Sequence, residues 1–477
     1  MYRFSNYIDG ELVQGAGRLI PVMSPGTGQQ IGEIVGVDKS QAEAALEAAK
    51  AAFPSWSALT LEQRGEWMKK LAAAVVEEQE QLAEIMAWET GKFIRAARGE
   101  VAGLPRSLDF FLTQARSNFD ETIHDPAERQ LFLSVREPLG VIVAYIAWNF
   151  PMGNLSMKLG AVLASGCTAV IKPATLTPLS TLYLGEIMHR IGFPRGVINF
   201  VAGTASEVAT VLTRSTIPAM VTLIGSSAAG RELIRDSSTS IKRFSLELGG
   251  NAPVVVTPHG DVRRAAIASM RGKMFNGGQI CTSPQRALVH SSVVDDFVAA
   301  ASATAADAHF GSVHDAEANV GPMITPQAVD RMERLVADAV EKGATLVAGG
   351  RRPPAVKQGN FFEPTILTNV TQDMLVWREE IFGPILAVKT WDDLDQAIAL
   401  ANDTEYGLYS YVWSRDIVEA NAIARRLHFG SVSINGGGGG ISVPHGGVKE
   451  SGVGKDGSKY GLDEYYYIKS IRLNLKD

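Results

Sequence analysis

Cysteine is almost missing from this chain: 477 residues hold two, Cys167 and Cys281. Two are too few for a disulfide framework or a cysteine zinc site, so reducing surroundings and no structural metal are expected. No run of eighteen apolar residues occurs, which excludes an ordinary membrane-spanning helix. Lys and Arg never cluster into a block of five, and the net charge is a mild −6, so nothing electrostatic favours nucleic acid. The opening stretch MYRFSNYIDGELVQG lacks a basic segment followed by an apolar one, and a cytoplasmic location is expected. Tandem repeats and low-complexity tracts are absent too, apart from the five glycines 436–440, which read as a loop.

What is present describes an ordinary globular enzyme with a small-molecule substrate. The length implies two or three domains, and 46% hydrophobic with 20% charged residues supports full folding. Residues 40–53, 61–88 and 99–119 carry apolar side chains at helical spacing. From about 131 the pattern changes to short β-branched runs closed by Gly or Pro (LFLSVREPLGVIVAYIAW, TAVIKP, GVINFVAG, AMVTLIG) alternating with helical segments, which predicts a parallel sheet. After LELGG at 246–250 a second series begins (APVVVT, RALVH, ATLVAGG, PILAVKTW, YSYVWS, GSVSIN), implying a second α/β domain. The end of the chain alternates apolar and polar residues as a strand does.

Several residues could carry chemistry, and each has a plainer alternative. Cys281 in FNGGQICTSPQR follows paired glycines and precedes Pro284, so its thiol could lie exposed in a cleft; a lone cysteine is more often a small buried hydrophobe. Glu247 in LELGG sits between leucines, where desolvation would raise its pKa toward that of a useful base, or it is merely a paired carboxylate. Asn149 in AWNFP falls at a strand end, where α/β sheets place ligands; its amide could hold an oxyanion or form an Asx turn. In VTLIGSSAAGREL, Gly225 and Gly230 follow a strand and open a helix whose N-terminus could face phosphate, although the fit to GxGxxG is poor. Lys172 in VIKPA is a strand-end lysine that could meet ribose or phosphate, or simply solvent.

Taken together, WNFP at 148–151, VIKPA at 170–174, GVINFVAG at 196–203, IGSSAAG at 224–230, LELGG at 246–250, GGQIC at 277–281, EEIFGP at 379–384 and HGGVKESGVGKDGSKYGLDEY at 445–465 resemble the aldehyde dehydrogenase superfamily, in order, from about residue 20 to the C-terminus. The resemblance implies an α/β fold: a Rossmann-like cofactor domain (1–118 and 139–249), an α/β catalytic domain (250–445), and a small β oligomerisation flap (119–138 and 460–477). The flap's strand would pair between subunits of a homodimer or homotetramer.

It also implies the chemistry. Cys281 would attack the aldehyde as thiolate, giving a thiohemiacetal whose oxyanion is held by Asn149 and the Cys281 N–H. Hydride would pass to NAD or NADP, and Glu247 would activate the water that hydrolyses the thioester. Lys158 matches a lysine kept near the catalytic amide. For the cofactor, Lys172 would contact the adenosine ribose, Gly225 and Ser226 the pyrophosphate, and Glu380, beside Phe382, the nicotinamide ribose; Trp148 would line the same region.

Departures from the family pattern sharpen this. NAD-preferring members carry glutamate where this chain has Thr175, and losing that repulsion of a 2′-phosphate implies that NADP is accepted. Ile224 replaces a frequent threonine, Asp456 a frequent glutamate, and Phe275 an arginine found in mammalian-type succinate-semialdehyde enzymes. Met152, Gly153, Asn154 and Met157 replace a bulky aromatic set, and His445 stands at a frequent aromatic position, so a polar mouth with Asn154 and His445 facing substrate is expected. Arg116 aligns with an arginine that semialdehyde and lactaldehyde members place near the substrate tail, though it equally reads as a solvated helix residue. The expected substrate is a short polar or anionic aldehyde. A CoA-acylating member would lack Glu247, and a silent binding paralogue would have lost one of Cys281, Glu247 and Asn149; this chain keeps all three.

Overall fold

Each apolar stripe in the N-terminal part becomes helix, in five pieces: Lys39–Ser57, Leu61–Glu77, Gln79–Thr90, Ile94–Val101 and Gly103–Arg116 (the last labelled α1). Asp38 and Gln41, then Thr60 and Gln63, form capping boxes that fix the first two starts. The long stripe read over 61–88 is divided at Glu78, where one helix ends and the next begins. The structure, a computed structural model, describes residues 1–118, 120–437 and 439–475. Phe119, Gly438, Lys476 and Asp477 lie outside the described residues, so the first residue of the expected flap, its last two, and the middle of the five-glycine run are not described.

The β-branched runs form two large sheets. In the first, Val141–Tyr145 (β1), Thr168–Lys172 (β2), Met220–Ile224 (β3) and Arg243–Glu247 (β4) are mutually parallel in the spatial order β4-β3-β1-β2. All but the ends of these strands are buried on both faces, as parallel strands between helices must be. Register matters for function: Tyr145 pairs with Lys172 and Ile224 with Glu247, so the C-terminal ends lie along one edge. Ligands bind at that edge in open α/β sheets.

In the second sheet Ala252–Val256 (β5), Pro284–His290 (β6), Ile385–Trp391 (β7) and Tyr409–Trp413 (β8) are parallel in the order β7-β6-β5-β8. Here the candidate residues lie on loops entering the strands: Cys281 just before β6 and Glu380 just before β7. A smaller sheet joins Tyr466–Asn474 antiparallel to Gln130–Pro138, which also pairs with Glu121–Ile123. The apolar stretch 131–148 is therefore two strands in different sheets, broken at Leu139 and Gly140. Among the described residues no helix is long and apolar enough to cross a membrane.

Helix Pro151–Ser165 (α2) carries Asn154 and Lys158, and its start is held by a buried ion pair. Glu100 accepts from the amides of Met152 and Gly153 at 3.1 and 2.9 Å and pairs with Lys92, while the Lys92 ammonium lies 3.6 Å from the Phe150 ring centre. Both side chains are at least 93% buried, so removing one strands the other in a medium that cannot solvate it. Glu100→Ala is expected to cost about 3 kcal/mol or more. Denaturant unfolding checks it, and a loss below about 1 kcal/mol would show that water reaches Lys92.

Candidate active site

The loop carrying Cys281 is shaped by three successive left-handed residues: Asn276 (φ 52°), Gly277 (φ 60°) and Gly278 (φ 70°). A Cβ at Gly278 would lie 2.3 Å from the Gly383 carbonyl oxygen, so only glycine lets this loop pack against the EEIFGP segment. Gly250 is under the same constraint, since its Cβ would sit 2.2 Å from the Cys281 carbonyl oxygen. The thiol-bearing loop is thereby clamped against the chain leaving β4 and the chain entering β7.

Asn149 is tied to the same loop. Its Nδ2 donates to Gln279 O at 3.1 Å, while Asn276 Nδ2 donates to Asn149 O at 3.2 Å. Gln279 is locked in turn by donating to Asn276 O and Pro322 O and by accepting from Ile324 N. The Gln279 carbonyl can only accept, which fixes the nitrogen as the end of the Asn149 amide that faces it, and Asn154 Nδ2 donates to Asn149 Oδ1 at 3.4 Å. An amide nitrogen has two N–H groups; one is used by Gln279, leaving one for a developing oxyanion.

Glu247 ends β4, is 4% exposed, and both its carboxylate oxygens lack a hydrogen-bond partner among the described residues. Burial raises its pKa well above the usual carboxylate range, and Asp456 raises it further against the pull of Lys158 and Lys455. His445 Nε2 lies 3.6 Å from Oε2. Burial lowers the His445 pKa, which keeps the imidazole neutral beside the acid. Fully buried Lys158 pairs with Asp456 at 2.5 Å, so the glutamate frequent in the family is replaced here by a shorter carboxylate that still reaches the ammonium.

The Cys281 thiol is pushed up to about 12, first by burial and then by Glu247 and Glu380, while the backbone amides of Cys281 and Thr282 pull it down. Glu380 is pushed up to about 7 by burial, against the Gly250 amide that donates to it at 2.7 Å. Phe382 holds a left-handed backbone (φ 49°) and meets Trp148 edge-on at 5.5 Å. A strained non-glycine residue of this kind commonly marks a functional site.

A cleft of about 580 Å³ joins these groups. Asn149, Glu247 and Cys281 line it together, as do Trp148, Glu380, Phe382, Asn154 and His445. Gly225 and Ser226 line it from the turn after β3, where Ser226 caps the helix Ser227–Asp236 by accepting from Ala229 N. Lys172 and Thr175 flank the lining residue Ala174 without lining the cleft themselves, and the Thr175 hydroxyl donates to Gly203 O at 3.1 Å. Lys172 is 6% exposed and among the described residues its ammonium has only the Pro173 carbonyl, at 3.3 Å, with burial lowering its pKa to about 8. A buried, under-partnered ammonium beside a β-to-α turn suits ribose hydroxyls or phosphate, so these residues fit a dinucleotide.

A second cavity, of about 1000 Å³, meets the cleft at Met157 and His445, which line both. Arg116 does not reach it. Expected near the substrate tail, it is exposed in the last turn of α1 and lines neither cavity. Arg106, in the first turns of the same helix and about 15 Å away along its axis, lines the second cavity instead. Sequence reading also missed Asn276 and Gln279; an asparagine before paired glycines was the available signal for the left-handed turn.

A cleft that fits a dinucleotide at the C-terminal edge of a parallel sheet, lined also by a loop cysteine, an amide donor and a desolvated glutamate, has the groups an α/β oxidoreductase requires. The sequence model of the aldehyde dehydrogenase family matches residues 12–471, and the chain belongs to that family. It is 39% identical to glutarate-semialdehyde dehydrogenase of Pseudomonas aeruginosa, over 99% of this chain and 98% of that protein. It is 36% identical to the NADP(+) succinate-semialdehyde dehydrogenase of Escherichia coli, over 100% and 98%. Betaine aldehyde dehydrogenase of Staphylococcus aureus in complex with NAD+ superposes with a TM-score of 0.96 at 33% identity, covering 99% of this chain and 95% of that one. The protein is an NAD(P)-dependent aldehyde dehydrogenase.

Proposed function

We propose that it oxidises a short polar or anionic aldehyde, of semialdehyde or lactaldehyde type, to the free acid. The observation that carries this is the second cavity. It is walled largely by serine, tyrosine and glycine, and no Asp or Glu occurs among its described lining residues. Relatives that act on glutarate and succinate semialdehydes support the same substrate class.

In the reaction, the Cys281 thiol proton passes to solvent water as Sγ bonds the carbonyl carbon, and the carbonyl electron pair moves to oxygen. The free N–H of Asn149 and the Cys281 amide receive that oxyanion. The chemistry supplied by NAD(P)+ when bound in the cleft is hydride acceptance. Glu247 then takes a proton from water as the water oxygen bonds the acyl carbon, the C–S bond breaks, and the sulfur leaves to be reprotonated. Lys158 and Asp456 act as positioning residues beneath Glu247. Residues 1–118 and 139–249 make the cofactor domain, 250–445 the catalytic domain, and 119–138 with 460–477 the flap. Exposed Ile468, Ile471 and Leu473 on the last strand suit pairing with another copy as a homodimer or homotetramer in the cytoplasm.

Steady-state assays of short aldehydes with both cofactors test the assignment. Turnover with NADP+ is expected because Thr175 leaves the 2′-phosphate unopposed, and Thr175→Glu should lower kcat/KM for NADP+ about tenfold or more relative to NAD+. No turnover with NADP+ refutes the cofactor reading. A requirement for CoA refutes hydrolysis.

A further inference from the structure

We propose that Arg106 selects the substrate, by binding an acid group at the end of the aldehyde remote from Cys281. Among the described residues lining the second cavity, Arg106 is the only Arg or Lys and there is no Asp or Glu. Nor does the guanidinium have an acidic partner elsewhere among the described residues; Nη2 donates only to Gly99 O, at 3.4 Å. An arginine that lacks a carboxylate and faces an acid-free cavity leaves a planar fork open to a carboxylate or sulfonate.

The path from Arg106 to the sulfur is continuous. Thr282, next to Cys281, lines this cavity, and Met157 and His445 connect it to the cleft. In the same cavity the hydroxyls of Tyr409 and Ser431 have no hydrogen-bond partner among the described residues, so its wall offers a polar chain free donors besides Arg106. Arg116, on the same helix but at its other end, has no such access.

This inference rests on the anionic-aldehyde reading above, and the experiment separates the two. The ratio of kcat/KM for 5-oxopentanoate to that for pentanal, equal in length but uncharged, is measured for the wild type, Arg106→Ala, Arg106→Lys and Arg116→Ala, at low and high salt. The wild type is expected to favour the acid. Arg106→Ala should lose about tenfold or more of that ratio. Arg106→Lys should keep part of it, as a charge without the fork, and Arg116→Ala should keep it whole. Added salt should lower the wild-type ratio and leave that of Arg106→Ala unmoved. A wild type that favours the acid and an Arg106→Ala ratio within about twofold of it would overturn the role of Arg106 alone. A wild type without preference would overturn the anionic-substrate reading itself.

Discussion

Cys281→Ala protein is expected to oxidise no aldehyde, with a loss on the order of 10^5 or more, while binding NAD(P)+ as the wild type does. The size of the loss follows from the site. Cys281 is the one nucleophilic thiol in the cleft; Cys167, the other cysteine, is fully buried with its Sγ against Tyr465 O at 3.4 Å. Alanine removes the covalent route without filling or emptying the cofactor side, where Gly225, Ser226 and Glu380 are untouched. Oxidation retained within about tenfold would refute a covalent mechanism.

The same thiol makes a pH prediction. Pushed up to about 12, it lies well above neutrality, so in the cofactor-free protein the thiolate is a small minority at pH 7. Because the shift is upward, the thiolate population grows with rising pH and does not level off below the raised value. Alkylation by iodoacetamide in the free protein should thus be slow at pH 7 and rise about tenfold per pH unit to pH 10. A plateau near pH 7 would mean that the two backbone amides outweigh burial and the two acids.

How much of this was legible in the sequence varies with the physics involved. Lys172 and Ile224 could be placed at strand ends because β-branched runs closed by Gly or Pro have few other solutions; the short strand that Glu247 closes was not read, and only the parallel register brings that residue into line with them. That Asn149 and Cys281 line one cleft could not be read. The two are 132 positions apart in sequence, and their convergence depends on Asn149 being tied to Gln279 and Asn276 of the cysteine loop. Here the family resemblance supplied what spacing could not. Arg106 and Arg116 show a different limit: both sit on one amphipathic helix, and which turn faces the cavity is set by how α1 packs against α2, through contacts such as Ser107 Oγ to Ser156 O at 2.8 Å. The stretch 131–148 reads as a single apolar run because the pattern of buried residues is blind to a strand leaving one sheet for another.

Glu247→Gln is expected to separate the two halves of the reaction. Attack and hydride departure need Cys281 and Asn149, which glutamine leaves in place, so one equivalent of NADPH should still form per site in a burst. Hydrolysis needs a base, and without one the following steady-state rate should fall by about 10^2 to 10^4. Glutamine keeps the volume and the contact with His445 at this buried position, so the loss reports chemistry and not packing. The pH dependence has a definite sign. A carboxyl whose pKa is raised is the active base only above that raised value, so wild-type deacylation should decline as pH falls through it. The residual rate of Glu247→Gln should follow hydroxide alone and lack that step. Mass spectrometry of the stalled protein should find the acyl group on Cys281. A burst lost along with the steady state would move Glu247 into the first half of the reaction, as the base that takes the Cys281 proton.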